Sequence, residues 1–542
     1  MNASLLHQDA QWWRTAVIYQ VYPRSFADAN GDGIGDLQGI TARLDHLAYL
    51  GVDAVWLSPF YTSPQRDAGY DVADYCNVDP VFGTLEDFDG LLARAHELGL
   101  RVIVDVVPNH SSSDHPWFQE ALASPPGSPE RARYIFHDGK GPHGDLAPNN
   151  WESVFGGPAW TRTTDPDGNP GQWYLHLFDS SQPDFDWSNP WVADRFDDIL
   201  RFWLDRGVDG FRVDVAHGMV KAPGLPDVVV PAVEGPHPHW AQEGVHDICR
   251  RWRRVLDSYG PGKVLVAEAW VEPLAEAAKW VRSDEMHQAF NFEYLLAPWT
   301  ARAQRAVIDA SLLAFNGVGA PATWVLSNHD TIRHPSRLAL PVQPPHGDGI
   351  GPRSSPLPDP ALAERRGRAA TLVMLALPGS AYIYQGEELG LPEVIDMPDS
   401  ARQDPTFHRT AGERYGRDGC RVPLPWEADA PAYGFSATGK AWLPQPAVWG
   451  AYAAAAQRNA ANSSLELYRR ALRVRRKHGL GAATLHWNEV NEGVLSFTVG
   501  EVTVLVNFGP HPVPLPPGAV LLTSSPTHEV LEPDTSAWVI VS

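Results

Sequence analysis

The chain has 542 residues, 44% of them hydrophobic, and a formal net charge of −22. That length exceeds one ordinary domain. The charge argues against nucleic acid or an anionic membrane as partner and for a small neutral molecule. Three widely spaced cysteines, Cys76, Cys249 and Cys420, provide neither a disulfide framework nor a zinc site. The start of the chain lacks a basic, then apolar, leader and no apolar run reaches about 18 residues, so the sequence predicts a cytoplasmic protein with no membrane span.

Strand and helix signals alternate along the chain. Residues 17–22 and 54–57 read as strands with a helix over 37–50 between them, followed by a helix over 86–98 and a strand over 102–107. Their continuous Val/Ile/Leu runs suit strands buried on both faces, as in a parallel sheet. Residues 108–178 are rich in Pro, Gly, Asn, Trp and His with no clear helix, which reads as an inserted domain after the third strand. Alternation then resumes with helices over 191–206, 245–256, 273–281, 298–313, 362–376 and 464–477. The strands among them fall at 208–213, 264–267, 289–292, 322–326 and 381–384. Eight strands with helices between them predict an α/β fold, a (β/α)8 TIM barrel built from residues 1–107 and 179–482. Two Pro/Gly-rich stretches, 341–360 and 391–460, read as loops near the active face. From 483 to 542, short strands separated by turns predict a C-terminal all-β sandwich.

Four of the apolar runs end in clustered polar groups. In GFRVDVAHG (210–218), Arg212 and Asp214 lie two residues apart and share one face of a strand. Alone, the pair is equally a structural ion bridge or a carboxylate kept ionised for attack on a sugar carbon. RVIVDVVPNH (101–110) ends in Asp105, Asn109 and His110, KVLVAEAW (263–270) in Glu268, and ATWVLSNHD (322–330) in Asn328, His329 and Asp330. Acids at the C-terminal ends of several parallel strands mark the active face of a barrel enzyme. A retaining glycosidase needs one ionised carboxyl group and one protonated one. Arg212 favours ionisation of Asp214, whereas the apolar strand before Glu268, Trp270 after it and Asp330 nearby are expected to raise Glu268. Separately, DANGDGIGD (28–36) carries oxygen-bearing side chains at alternate positions, Asp28, Asn30, Asp32 and Asp36, with glycines for a tight turn. This is like the start of an EF-hand loop, but Gly39 stands where the bidentate Glu would be, so an Asx/Gly turn is the plain alternative.

DVVPNH, GFRVDVAHG, VAEAW and SNHD, in that order, with AGYDVADY (68–75), QPDFDW (182–187) and GRDGCRVPLPW (416–426), resemble the α-amylase superfamily of glycoside hydrolases. The likeness is to its α-glucosidase and oligo-1,6-glucosidase branch and covers essentially the whole chain. The resemblance implies a retaining, exo-acting α-glucosidase that removes terminal α-1,4- or α-1,6-linked glucose from short oligosaccharides through a covalent glucosyl–Asp intermediate. A transglucosidase or a sucrose-, maltose- or trehalose-type isomerase on the same scaffold is the alternative. It implies Asp214 as nucleophile, Glu268 as general acid/base and Asp330 as the carboxylate gripping sugar hydroxyls, with Arg212 holding Asp214 ionised. It further implies that His110 and His329 hydrogen-bond the glucose, and that Asp71 and Arg417 close the blind end of a pocket. A structural Ca²⁺ or Mg²⁺ is implied at Asp28, Asn30, Asp32, the Ile34 carbonyl and Asp36, with no organic cofactor. The lysine that follows the nucleophile in endo-amylases is absent from VAHG, which implies no long starch chain beyond the cut. Val215 implies α-1,6 activity, while QPDFDW departs from the branch's QPDLN, so the linkage stays open, as does the oligomeric state.

Overall fold

The computed structural model describes residues 10–165, 168–229, 237–526 and 529–542. Eight strands form the barrel: β1 (Val17–Val21), β2 (Ala54–Leu57), β3 (Arg101–Val106), β4 (Gly210–Val213), β5 (Val264–Ala267), β6 (Gln288–Ala289), β7 (Thr323–Val325) and β8 (Ser380–Tyr384). They pair in parallel in the order β6-β5-β4-β3-β2-β1-β8-β7. Beyond β6, the Asn291 N–H donates to Thr323 O at 3.1 Å, which brings the two ends of the sheet together. Nearly every barrel-strand residue is buried, as the unbroken apolar runs require. The (β/α)8 expectation is met.

Local chemistry sets the element ends. Helix α1 (Leu37–Leu50) starts where the Asp36 carboxylate accepts the Gly39 N–H and stops at Gly51, whose φ of 96° suits a residue without Cβ. Helix α2 (Leu85–Glu97) opens with a reciprocal Thr84–Asp87 capping box. The sixth strand is shorter than its sequence suggested. Asn291 caps a helical turn over Phe292–Leu296 by accepting the Tyr294 N–H, so the strand stops at Ala289 and Phe292 is already helical. Between β3 and the helix Pro190–Arg206, the chain makes a helix, Pro116–Ala123, and a three-stranded antiparallel sheet of Phe136–His137, Pro170–Leu175 and Trp160–Thr164. The helix has no clear signal among Pro, Ser and His; the His115 ring caps it by accepting the Trp117 N–H.

After helix Ser464–Lys477 comes a five-stranded antiparallel sheet: Leu485–Trp487, Val494–Val499, Val502–Asn507, Thr535–Val541 and Gly518–Thr523. It docks on helix Pro360–Ala376 through Trp538, which is fully buried and donates its indole N–H to Leu372 O at 3.0 Å.

Candidate active site

The C-terminal ends of β3, β4, β5 and β7 converge on one buried cluster. Arg212 lies at its centre. Its Nη1 donates to both Asp105 oxygens at 2.9 and 3.0 Å and to Asp214 Oδ1 at 2.6 Å, and its Nη2 pairs with Glu268 Oε2 at 2.8 Å. The guanidinium also lies over the Trp56 ring, 5.1 Å from its centre. Arg212 was expected to serve Asp214; the structure shares it among three acids. Burial raises Asp214 well above the usual carboxylate range, Arg212 opposes the rise, and Glu268, Asp105 and Asp330 add to it. Burial likewise raises Asp105 to about 7 against the pull of Arg212. Three buried carboxyl groups thus compete for one cation, so Arg212 cannot neutralise Asp214 alone.

Strand β4 ends in strain. The Asp214 N–H donates to Val106 O at 2.9 Å, after which Val215 adopts φ 43° and ψ 43°, the left-handed region that a β-branched residue seldom enters. Such a conformation costs about 1–3 kcal/mol and must be held from outside. Glu268 holds it: its Oε2 accepts the Val215 N–H at 2.8 Å and its backbone carbonyl accepts the Ala216 N–H at 2.9 Å. Gly218 is needed beneath the turn, where a Cβ would come within 2.7 Å of Val215 Cγ1. The other Glu268 oxygen accepts the Trp270 indole N–H at 3.1 Å, and Trp270 stacks on Phe292 at 3.7 Å.

Asp330 faces two guanidinium groups and a histidine ring. Its Oδ1 accepts from Arg417 Nη1 at 3.1 Å and from Arg421 Nη2 at 2.8 Å, and its Oδ2 lies 3.2 Å from His329 Nε2. Burial opposes ionisation, but His329, Arg417 and Arg421 together outweigh it and hold Asp330 far below the usual range. His329 lies parallel to Tyr70 with ring centres 5.2 Å apart. The Gln20 amide donates to its Nδ1 at 2.8 Å, which leaves the ring proton on Nε2, facing Asp330. His110 is buried, and burial lowers it to about 4, so it is neutral at pH 7.

The blind end of the pocket corrects one residue. Arg417 Nη2 pairs with Asp67 Oδ1 at 2.9 Å, and its Nε with Asp404 Oδ2 at 2.6 Å. Asp71, expected as the partner of Arg417, instead points into its own loop. Its Oδ1 accepts from Ser63 Oγ at 2.9 Å and the Asp67 N–H at 3.0 Å, and its Oδ2 accepts the Arg66 N–H at 2.9 Å. Asp71 therefore shapes the loop that presents Asp67. The other Asp67 oxygen accepts from Gln182 Nε2 at 3.1 Å, and burial raises Asp67 to about 6 against Arg417 and Arg421.

These groups line a cavity of about 300 Å³. Asp67, Tyr70, His110, Asp214, Glu268, His329, Asp330 and Arg417 are among its polar lining, together with His217, His346, Thr406 and Arg414, while Phe155, Phe178, Val215, Trp240 and Trp270 form apolar walls. Of the expected substrate residues only Arg212, behind Asp214, and Asp71 lie outside this lining. A small cavity with convergent polar groups and perturbed carboxyl groups suits a monosaccharide unit.

Residues 20–482 match the family described as "Alpha amylase, catalytic domain". The chain belongs to the alpha-amylase family. Among its relatives, a probable alpha-glucosidase of Rhizobium meliloti is 41% identical over 92% of this chain and 88% of its own length. A probable oligo-1,6-glucosidase 3 of Bacillus subtilis is 36% identical over 86% and 84%. Among solved structures, the alpha-glucosyl transfer enzyme XgtA superposes with a TM-score of 0.81 at 35% identity, covering 98% of this chain and 99% of that one. The trehalulose synthase MutB of Pseudomonas mesoacidophila MX-45 does so with 0.82 at 31% identity, covering 97% and 99%.

Within this family member, several site residues had no legible signal. Asp67 immediately precedes AGYDVADY (68–75), and Gln182 is the first residue of QPDFDW, but neither position has a spacing that marks its role. Asp404 and Arg421 come from a long irregular loop; Arg421 anchors the β7 end by donating to His329 O at 2.8 Å as well as to Asp330.

The loop expected to hold a metal engages its oxygens locally. The Asp28 carboxylate accepts the Gly31 and Gly33 N–H groups at 2.6 and 2.8 Å, and Asp36 those of Ala29, Asn30 and Gly39 at 3.0, 3.1 and 2.6 Å. Asn30 and Asp32 accept from Asp32 N and Ile34 N, both two residues ahead. The donor set is all oxygen, as a hard divalent cation prefers. Among the described residues, however, no three acidic, His or Cys side chains converge on a metal position. A cation at this loop would require Asp28, Asp32 and Asp36 to turn toward one point. No helix among the described residues is long and apolar enough to cross a membrane.

Proposed function

We propose that the chain is a retaining, exo-acting α-glucosidase that releases terminal α-linked glucose from short neutral oligosaccharides. The observation that carries this reading is the closed end formed by Asp67, Arg417 and Asp330 beside the Asp214–Glu268 pair: a chain end fits there and an internal unit does not. Asp214 attacks the anomeric carbon, the bond to the leaving oxygen breaks, and Glu268 gives that oxygen a proton. Glu268 then takes a proton from water, whose oxygen displaces Asp214 and leaves glucose in the α form. His110, Asp330, Asp67 and Arg417 hold the sugar hydroxyls. Relatives named alpha-glucosidase and oligo-1,6-glucosidase support it.

Transfer of the glucosyl group to a second sugar is the second reading, favoured by the apolar wall of Val215, Trp240 and Trp270 beside Glu268, which limits water on the leaving-group side. One experiment tests both: initial rates on maltose, isomaltose, sucrose and trehalose, with products followed by proton NMR. α-Glucose appearing first is expected, and β-glucose as first product overturns the retaining mechanism. New oligosaccharides or isomers at high substrate mean transfer. Val215 lines the cavity, and Val215→Thr is expected to shift the maltose-to-isomaltose rate ratio about tenfold toward maltose.

Two finer points complete the reading. The protein acts in the cytoplasm, in keeping with its three unpaired cysteines. The Asp28–Asp36 loop takes Ca²⁺ or Mg²⁺, bracing the first strand–helix connection. Millimolar Ca²⁺ or Mg²⁺ added after chelation is expected to raise the melting temperature by a few degrees through preferential binding to the folded state; an unchanged melting curve removes the metal from the scheme.

A further inference from the structure

Seven residues beyond the nucleophile, Lys221 turns inward. Its side chain is 3% exposed, and its Nζ lies 2.8 Å from Asp184 Oδ2, whose side chain is fully buried. Nζ also donates to Asn109 Oδ1 at 2.8 Å and to Gly218 O. All three ammonium protons are thus committed. The acceptors come from three segments: the connection returning from the inserted domain (Asp184), which bridges antiparallel to His110, the loop after β3 beside His110 (Asn109), and the turn after Asp214 (Gly218). Asn109 extends the network, because its Nδ2 reaches both Asp184 Oδ2 and His110 Nδ1 at 3.2 Å. His110 Nε2 then meets Tyr70 O at 3.2 Å. Asp184 Oδ1 accepts the Leu177 N–H at 3.0 Å, which ties in the edge of the inserted sheet.

Lys221 does not border the sugar cavity. It borders a separate cleft of about 530 Å³, between the inserted domain and the loop after β4, that contains none of Asp214, Glu268 and Asp330. A buried ammonium is costly unless fully paired, so its use here demands a function that an apolar side chain would not serve.

We propose that Lys221 is a positioning residue for glucose binding: by drawing Asn109, Asp184 and the Gly218 carbonyl to one point, it sets the His110 ring against the sugar and couples the inserted domain to the nucleophile turn. This rests on the α-glucosidase reading. The competing account is that Lys221 only neutralises Asp184. Lys221→Met leaves a buried carboxylate unpaired and is expected to lower both stability and activity. Lys221→Met/Asp184→Asn removes the charge as well and should regain most of the lost melting temperature. With Lys221 as a positioning residue, the double variant keeps a KM for maltose raised about tenfold, with kcat affected less. Its affinity for the glucose-pocket inhibitor 1-deoxynojirimycin, measured by calorimetry, falls in parallel. Recovery of wild-type KM and inhibitor affinity along with stability overturns the proposal. Asn109→Ala, which keeps the Lys221–Asp184 pair, is expected to raise KM and weaken the inhibitor by a similar factor even if the double variant folds poorly; unchanged values there also overturn it. Failure of the wild type to cleave α-glucosides would instead fault the functional reading.

Discussion

Asp214→Ala and Glu268→Ala are each expected to lower kcat on maltose by about 10⁴-fold or more, since each removes one half of a two-step displacement. Their rescue by azide separates the two roles. With α-glucosyl fluoride, whose leaving group needs no proton, Glu268→Ala still forms the intermediate on Asp214. Azide then enters from the face the fluoride left, giving α-glucosyl azide. In Asp214→Ala, azide occupies the space of the missing carboxylate on the opposite face and gives β-glucosyl azide in one displacement. Identification of the azide anomer by NMR decides the assignment, and exchanged products would exchange the roles. The same cluster sets the pH response. Attack needs an ionised Asp214, and burial raises that group, with Glu268 and Asp105 adding to the rise and only Arg212 the main counterweight. The acid limb of kcat/KM is therefore expected above pH 4, the ordinary aspartate value being about 3.9. An acid limb below that would mean that Arg212 serves Asp214 preferentially, as the Arg–x–Asp spacing alone suggested.

The three carboxylates were legible because each ends a strand whose apolar run is unmistakable, and a parallel barrel delivers all such ends to one face. What lay between those ends was not legible. In the loop carrying Asp67 and Asp71, no periodicity says which acid faces the cavity. The choice is made by backbone: the Arg66 and Asp67 N–H groups capture Asp71, leaving Asp67 to Arg417. The left-handed Val215 carries no signal in its own identity, and only Gly218, three residues on, hints that the turn is tight. Lys221 and Arg421 escaped for a related reason. Arg421 acts on Asp330, 91 residues away, and although Lys221 also reaches the nearby Gly218 carbonyl, its other partners are Asp184 and Asn109, the latter 112 residues away. Sharing of Arg212 by Asp105, Asp214 and Glu268 likewise exists only once three strands are side by side in register, Asp105 opposite Arg212 and Arg212 opposite Val266.

Asp67→Asn and Asp71→Ala are expected to fail in different ways. Asp67 meets the cavity and pairs with Arg417, so its neutral replacement removes a charged contact from the blind end. A charged hydrogen bond is worth about 1.5–3 kcal/mol, which predicts a 10- to 100-fold fall in kcat/KM, carried mainly by KM. The fold should tolerate the change, because burial disfavours the Asp67 carboxylate in the first place. Its pKa of about 6 adds a signature: as pH falls through 6, protonation of Asp67 weakens its hold on Arg417 and on the sugar, so KM rises on the acid side. That component should vanish in Asp67→Asn. Asp71→Ala touches no cavity wall but strands the buried Ser63 Oγ and Asp67 N–H, each orphaned donor costing about 1–3 kcal/mol, and the half-buried Arg66 N–H. A fall in melting temperature is therefore the primary effect, and any rise in KM follows from the loosened Asp67. If Asp71→Ala raised KM at full stability while Asp67→Asn left KM unchanged, the roles would revert to those the sequence motif suggested. The discrimination matters for the reaction itself, because Arg417 carries Asp67, Asp330 and Asp404 on one guanidinium. Whichever acid completes that cluster fixes where the sugar's far end stops, and so how deeply its anomeric carbon reaches toward Asp214.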